Sequence, residues 1–173
     1  MLLYEDILTG DELFSDAFPL KEVDGIVYEV DCQMISKKKN EDIDIGANPS
    51  AEDAPEEGLD ETVERVNNVV DAGRLQQTSF DKKGYLAYLK GYMKNVKKHL
   101  AETNPERVEA FEKGAAAYAK KIVGNFKDLE FYTGEKFAEN PDREGMVLLL
   151  NYREDGITPY FTCWKDGLKT IKL

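Results

Sequence analysis

His99 is the only histidine of the 173-residue chain and sits beside Lys97 and Lys98. Nucleophilic catalysis by a hydroxyl or thiol needs a base next to the nucleophile, usually histidine, and His99 has no such setting in the sequence. No Gly-x-Gly-x-x-Gly and no Walker-type lysine loop occurs, so dinucleotide and P-loop nucleotide chemistry lack their phosphate cradle. The 34 Asp and Glu residues do not make a glycosidase, because that chemistry depends on a separation in space. Cys32 and Cys163 belong to no Cys-x-x-Cys pair, which removes the usual zinc and thioredoxin signature and leaves free thiols in a reducing cytosol. The chain reads as a non-enzyme with no resident cofactor and no zinc.

One stretch carries part of a metal-loop pattern. Asp42-Ile43-Asp44-Ile45-Gly46 starts like an EF-hand loop, but Ala47 stands at the sixth position and Asp53 at the twelfth, where the turn requires Gly and the ion a bidentate Glu. Asp42, Asp44 and Asp53 are thus candidates for weak, non-EF-hand calcium binding, against the alternative of a solvated acidic loop. Ser50 precedes Ala51-Glu52-Asp53, an acidic context that suits an acid-directed kinase, and an unmodified loop serine is the equal alternative.

Charge is unevenly placed. The chain carries a formal −11, yet 81–127 holds eleven Lys+Arg against five Asp+Glu, a local +6 that leaves −17 elsewhere. Lys82, Lys83, Lys90, Lys94, Lys97, Lys98, Lys113, Lys120, Lys121 and Lys127 fit one positive surface or ordinary solvated helix faces. An acidic protein partner suits such a patch better than a nucleic-acid backbone, which the surrounding −17 repels. The opening Met1-Leu2-Leu3-Tyr4-Glu5-Asp6 has no basic n-region, and the longest fully apolar run is Met146 to Leu150, so neither export nor a membrane anchor is expected.

These residues need elements to hold them. The stretch 37–64, rich in Asp, Glu, Pro, Gly and Ser, reads as a mobile acidic loop within a single 1–173 domain. Asp24-Gly25, Asp155-Gly156 and Asp166-Gly167 are hairpin signals. The first links a strand ending near Val23 to one in which Ile26, Tyr28, Val30, Cys32 and Met34 share a buried face. The other two, with strands at 146–152 and 157–164 and a short one ending in Ile171, predict a C-terminal antiparallel meander. Leu129 to Tyr132 predicts another strand, and 63–78 fits helix early and strand late. Thr78-Ser79-Phe80-Asp81 has capping-box form, and Tyr85, Leu89, Tyr92, Val96 and Leu100 recur at helical spacing, with Leu86 and Met93 alongside. Asn104-Pro105 supplies an N-cap and first-turn Pro for a second helix carrying Val108, Phe111, Ala115, Ala119 and Ile122. The two helices predict a basic antiparallel hairpin over 81–127.

Two blocks are recognisable. Ile45-Gly46-Ala47-Asn48-Pro49-Ser50-Ala51-Glu52-Asp53, and Leu129 to Tyr160 with Phe131-Tyr132-Thr133-Gly134-Glu135 and Asn151-Tyr152-Arg153-Glu154-Asp155-Gly156-Ile157-Thr158-Pro159, resemble the signature regions of the translationally controlled tumour protein family. Met1 to Phe14, with Asp11-Glu12, and Thr78-Ser79-Phe80 resemble it too. The resemblance implies an α+β, Mss4-like fold: a twisted β-tent, a projecting helical hairpin and a flexible acidic loop. It implies a cytoplasmic, partly cytoskeleton-associated protein that binds calcium, associates with and stabilises microtubules, and is linked to ribosomes or translation factors and growth control. Tubulin contacts are expected at Lys90, Lys94, Lys97 and Lys98. The alternative it implies is a guanine-nucleotide-exchange-like regulator of a small GTPase, with Glu12, Leu75 and Glu135 at the matching positions. The chain ends Lys172-Leu173, without the terminal cysteine through which some members form a disulfide dimer.

Overall fold

Asp24 and Gly25 take φ values of 57° and 68°, the left-handed pair that a type I′ turn requires. The Ile26 amide closes the turn on the Val23 carbonyl at 3.1 Å. It joins β3 (Leu20–Val23) to β4 (Val27–Asp31), as the Asp-Gly signal predicted. The computed structural model describes residues 1–38 and 63–173. Its other strands are β1 (Leu2–Asp6), β2 (Glu12–Ser15), β5 (Met34–Lys38), β6 (Val63–Asn67), β7 (Gln76–Thr78), β8 (Glu130–Thr133), β9 (Leu148–Tyr152), β10 (Pro159–Trp164) and β11 (Leu168–Lys172). They form a six-stranded sheet in the order β3-β4-β10-β9-β8-β7, a three-stranded sheet β11-β1-β2 and a two-stranded ribbon β5-β6.

Several expectations change at this level. The stretch read as loop over 37–64 is strand at both ends, since Lys37 pairs with Glu64 and Lys38 with Val63; the rest of it, with Asp42, Asp44, Ser50 and Asp53, lies outside the described residues. The C-terminal meander ends after β10. The turn Lys165–Gly167 redirects the chain, and β11 pairs with β1, Leu2 facing Lys172. The link from β9 to β10 is wider than a two-residue turn. It is closed by Arg153 donating its amide to the Thr158 carbonyl, while Asp155 accepts from the amides of Ile157 and Thr158. Met34 is exposed rather than on the buried face, because the chain leaves the six-stranded sheet after Cys32 to form the ribbon.

The helices among the described residues are α1 (Asn68–Gly73), α2 (Lys82–Thr103), α3 (Val108–Gly124) and α4 (Glu135–Glu139). Thr78 does not cap α2, because it is the last residue of β7 and pairs with Phe131. Asp81 is the cap, its Oδ1 accepting from the Gly84 amide at 2.7 Å. Asn104 offers no side-chain cap either; Pro105–Arg107 forms a 3₁₀ turn and α3 starts at Val108. The inner stripe holds as predicted: Tyr85, Leu89, Tyr92, Val96 and Leu100 are all buried. Tyr85 packs on Phe80, Phe126 and Phe131, and Tyr118 of α3 meets Trp164 of β10 edge-on. The hairpin's turn does not stand free. Arg107 forks onto Asp166, Nε and Nη2 each at 2.9 Å, and also donates to the Gly25 carbonyl.

Candidate interaction surfaces

The β1–β2 connection builds the first surface. Asp11 is buried, and its Oδ1 accepts from the Lys136 amide at 2.8 Å while Oδ2 accepts from the Phe137 amide at 3.2 Å and from Thr9 Oγ1 at 2.9 Å. These amides open α4, whose own N-cap, Gly134, has no side chain to satisfy them, so Asp11 serves as the cap from across the fold. Gly134 is what lets it approach: a Cβ there would stand 2.3 Å from the Asp11 carboxyl carbon. Gly73 makes a second close approach, a Cβ there standing 2.5 Å from the Leu13 carbonyl oxygen.

A polar cleft of about 550 Å³ results, lined by Glu12, Arg74, Glu135, Lys136 and Glu139 over the backbone of Gly10, Asp11, Ala72 and Gly73. Arg74, left-handed at φ 53°, reaches Glu135 at 3.6 Å. Glu12 and Glu139 have no ion-pair partner among the described residues. Two of the three residues named for a GTPase face, Glu12 and Glu135, thus meet in one cleft. Leu75 does not join them. It is buried beside Gly73 and supports the cleft wall rather than presenting a surface. Arg74, Lys136 and Glu139 were not anticipated, and only the pairing of distant elements brings them to this place.

The second surface is the outer side of the hairpin. A groove of about 620 Å³ runs between α2 and α3, floored by Leu86, Leu89, Met93, Phe111, Ala115, Ala116 and Ala119 and rimmed by Lys90, Lys94, Lys97 and Glu112. Three of the four lysines expected to contact tubulin therefore share one rim, and Lys98 is exposed outside it. Lys97 is paired with Glu112 at 2.6 Å, whereas Lys90 and Lys94 have no ion-pair partner among the described residues. The ten-lysine surface is not continuous: Lys113 pairs with Glu109, and Lys121 with Asp24 of the β3–β4 turn. Leu86, alongside the inner stripe rather than in it, is 40% exposed.

Among the described residues, no group of three or more His, Cys, Asp or Glu side chains is placed to hold a metal ion, and no helix is long and apolar enough to cross a membrane. Cys32 and Cys163 are both buried and free; burial pushes the Cys32 thiol up to about 11 and that of Cys163 higher still.

The family model described as translationally controlled tumour protein matches residues 1–169. The chain is 62% identical over 173 residues to the translationally-controlled tumor protein homolog of Yarrowia lipolytica, with all of both chains covered. It is 60% identical over 172 residues to that of Schizosaccharomyces pombe, with 99% of each covered. Its structure is similar to the solved Schizosaccharomyces pombe protein, with a TM-score of 0.83 at 60% identity and both chains covered in full. The Caenorhabditis elegans protein, at 36% identity, gives 0.74, covering 100% of this chain and 99% of that one.

Proposed function

Since this chain belongs to the translationally controlled tumour protein family, we propose that it is a non-enzymatic interaction protein of the cytoplasm, which associates with microtubules through the lysine side of its helical hairpin. The observation that carries this reading is the pair Lys90 and Lys94, exposed one turn apart and without ion-pair partners among the described residues, on a segment of local +6. Tubulin's acidic surface is the complement such a segment attracts, and local complementarity contributes to encounter rate and orientation. Charge reversal at Lys90, Lys94, Lys97 and Lys98 is expected to abolish co-sedimentation with microtubules at low salt. Unchanged co-sedimentation would sink the reading. Links to ribosomes or translation factors, and to calcium, belong to the same reading by family association, with Asp42, Asp44 and Asp53 as the weak candidate ligands that the acidic sequence offers. Calorimetry at millimolar calcium tests the metal: no heat removes it.

A second reading has its own support in the cleft where Glu12 and Glu135 meet. There the protein docks a small GTPase and loosens its nucleotide, an unpaired carboxylate at Glu12 competing for the magnesium or phosphate-binding groups. Leu75 acts in this reading only by holding the wall. Nucleotide release from a candidate GTPase should be faster with the wild type than with Glu12→Ala, and equal rates at micromolar protein would count against it.

A further inference from the structure

We propose that the groove between α2 and α3 is a docking site for an acidic amphipathic helix of a partner protein. The inference rests on the hairpin being a protein-docking surface, as read above, and adds the shape and sequence character of what docks. The floor is apolar and stays open: Leu86 is 40% exposed, and Met93 and Ala119 are covered only in part. The groove, about 620 Å³, has the size of an ordinary ligand cleft.

The backbone decides for a helical partner. Both walls are helices whose main-chain groups are already paired along α2 and α3, so the groove offers no edge to a strand. An extended peptide laid on this floor would leave its own amides and carbonyls unpaired over hydrocarbon. A helix satisfies its backbone internally and presents a stripe at i, i+3, i+4 and i+7 that fits a linear trough. Charge decides for an acidic one. Lys90, Lys94 and Lys97 follow one another at i, i+4 and i+7 along one rim, opposed among the described residues only by Glu112, which Lys97 already pairs. Carboxylates flanking an apolar stripe meet the ammonium groups of Lys90 and Lys94, which have no ion-pair partner among the described residues, and the lysine stems extend the apolar wall.

The test uses the full chain and a fluorescent, acetylated peptide of about sixteen residues with leucines at helical stripe positions and glutamates elsewhere. Fluorescence anisotropy is expected to show binding. It should weaken at least about tenfold when the leucines are scrambled at constant composition, or when glutamates become lysines. The same loss is expected for the protein variants Leu86→Gln/Ala116→Gln and Lys90→Glu/Lys94→Glu. All four residues are exposed, and an unchanged melting temperature verifies the fold. Equal binding of the scrambled peptide, or indifference to the Leu86/Ala116 change, overturns the proposal. Flotation with phosphatidylserine vesicles, or self-association in sedimentation velocity, that the Leu86/Ala116 change abolishes while the peptide fails to bind, assigns the groove to lipid or to a second copy and overturns it equally. Peptide failure with microtubule binding still dependent on the lysines overturns the groove proposal alone. Peptide binding with microtubule binding indifferent to the lysines overturns only the tubulin reading.

Discussion

Asp6 is a carboxylate almost wholly removed from water, and its two oxygens do different work. Oδ1 accepts from the Leu8 amide and Oδ2 from the Met146 amide, each at 2.8 Å, tying the β1–β2 connection to the segment that enters β9. Burial raises its pKa, and the hydrogen bonds from Met146, Leu8 and Thr9 offset that only in part. Asp6→Ala strands the buried Met146 amide and the partly buried Leu8 amide, and a loss of about 2–4 kcal/mol in urea unfolding is expected. The pH dependence has a definite sign. A carboxyl whose folded-state pKa stands above its unfolded value contributes most below the unfolded value of about 4 and loses that contribution as pH rises through the folded value. The stability gap between wild type and Asp6→Ala should therefore narrow as pH rises above about 4. A widening gap would show that the hydrogen bonds outweigh desolvation.

At the scale of elements, the helical hairpin is held by its apolar stripe along its length and by Arg107 at its turn. Asp166 is a mostly buried carboxylate, and the Arg107 guanidinium satisfies it bidentately. Arg107→Ala leaves that charge without its partner, which costs about 2–4 kcal/mol. Amide exchange should accelerate most around Thr103 to Val108 and the β3–β4 turn; exchange unchanged there would mean that packing alone anchors the turn. This contact also marks where the sequence stops being legible. The stripe from Tyr85 to Leu100 and the Asp24-Gly25 turn were readable because helix periodicity and left-handed φ are local properties. The partner of β11, the strand identity of Thr78 and the cap that Asp11 gives α4 are set by pairing between segments far apart in the chain. No local signal distinguishes a terminal strand returning to β10 from one crossing to β1. The cleft was legible only as Glu12 and Glu135 singly, and Leu75 is buried beside it because neighbours in sequence, Arg74 and Leu75, go to opposite sides of the surface.

Over the whole molecule, packing and charge each have a measurable consequence. Cys32 and Cys163 lie in one continuous apolar core, with thiols pushed away from the reactive thiolate form, so their modification should report opening of the fold. Ellman's reagent at about pH 8 is expected to find no fast thiol in the native protein and both in urea; a fast native thiol would show an open route into the core. Charge acts at longer range, because the local +6 is set against −17 carried by the rest of the chain. At about 0.01 M salt the screening length is about 30 Å, and an acidic partner at the hairpin feels the repulsive remainder together with the lysines. At about 0.1 M it is about 10 Å, so the remainder is screened while the lysines in contact still attract. Higher salt weakens the contact itself. Microtubule co-sedimentation should accordingly pass through a maximum at intermediate ionic strength, and Lys90→Glu/Lys94→Glu should flatten it. A steady fall from the lowest salt upward would mean that the distant acids do not reach the hairpin face, and binding that grows continuously with salt would mean that the apolar groove, not the lysine rim, dominates association.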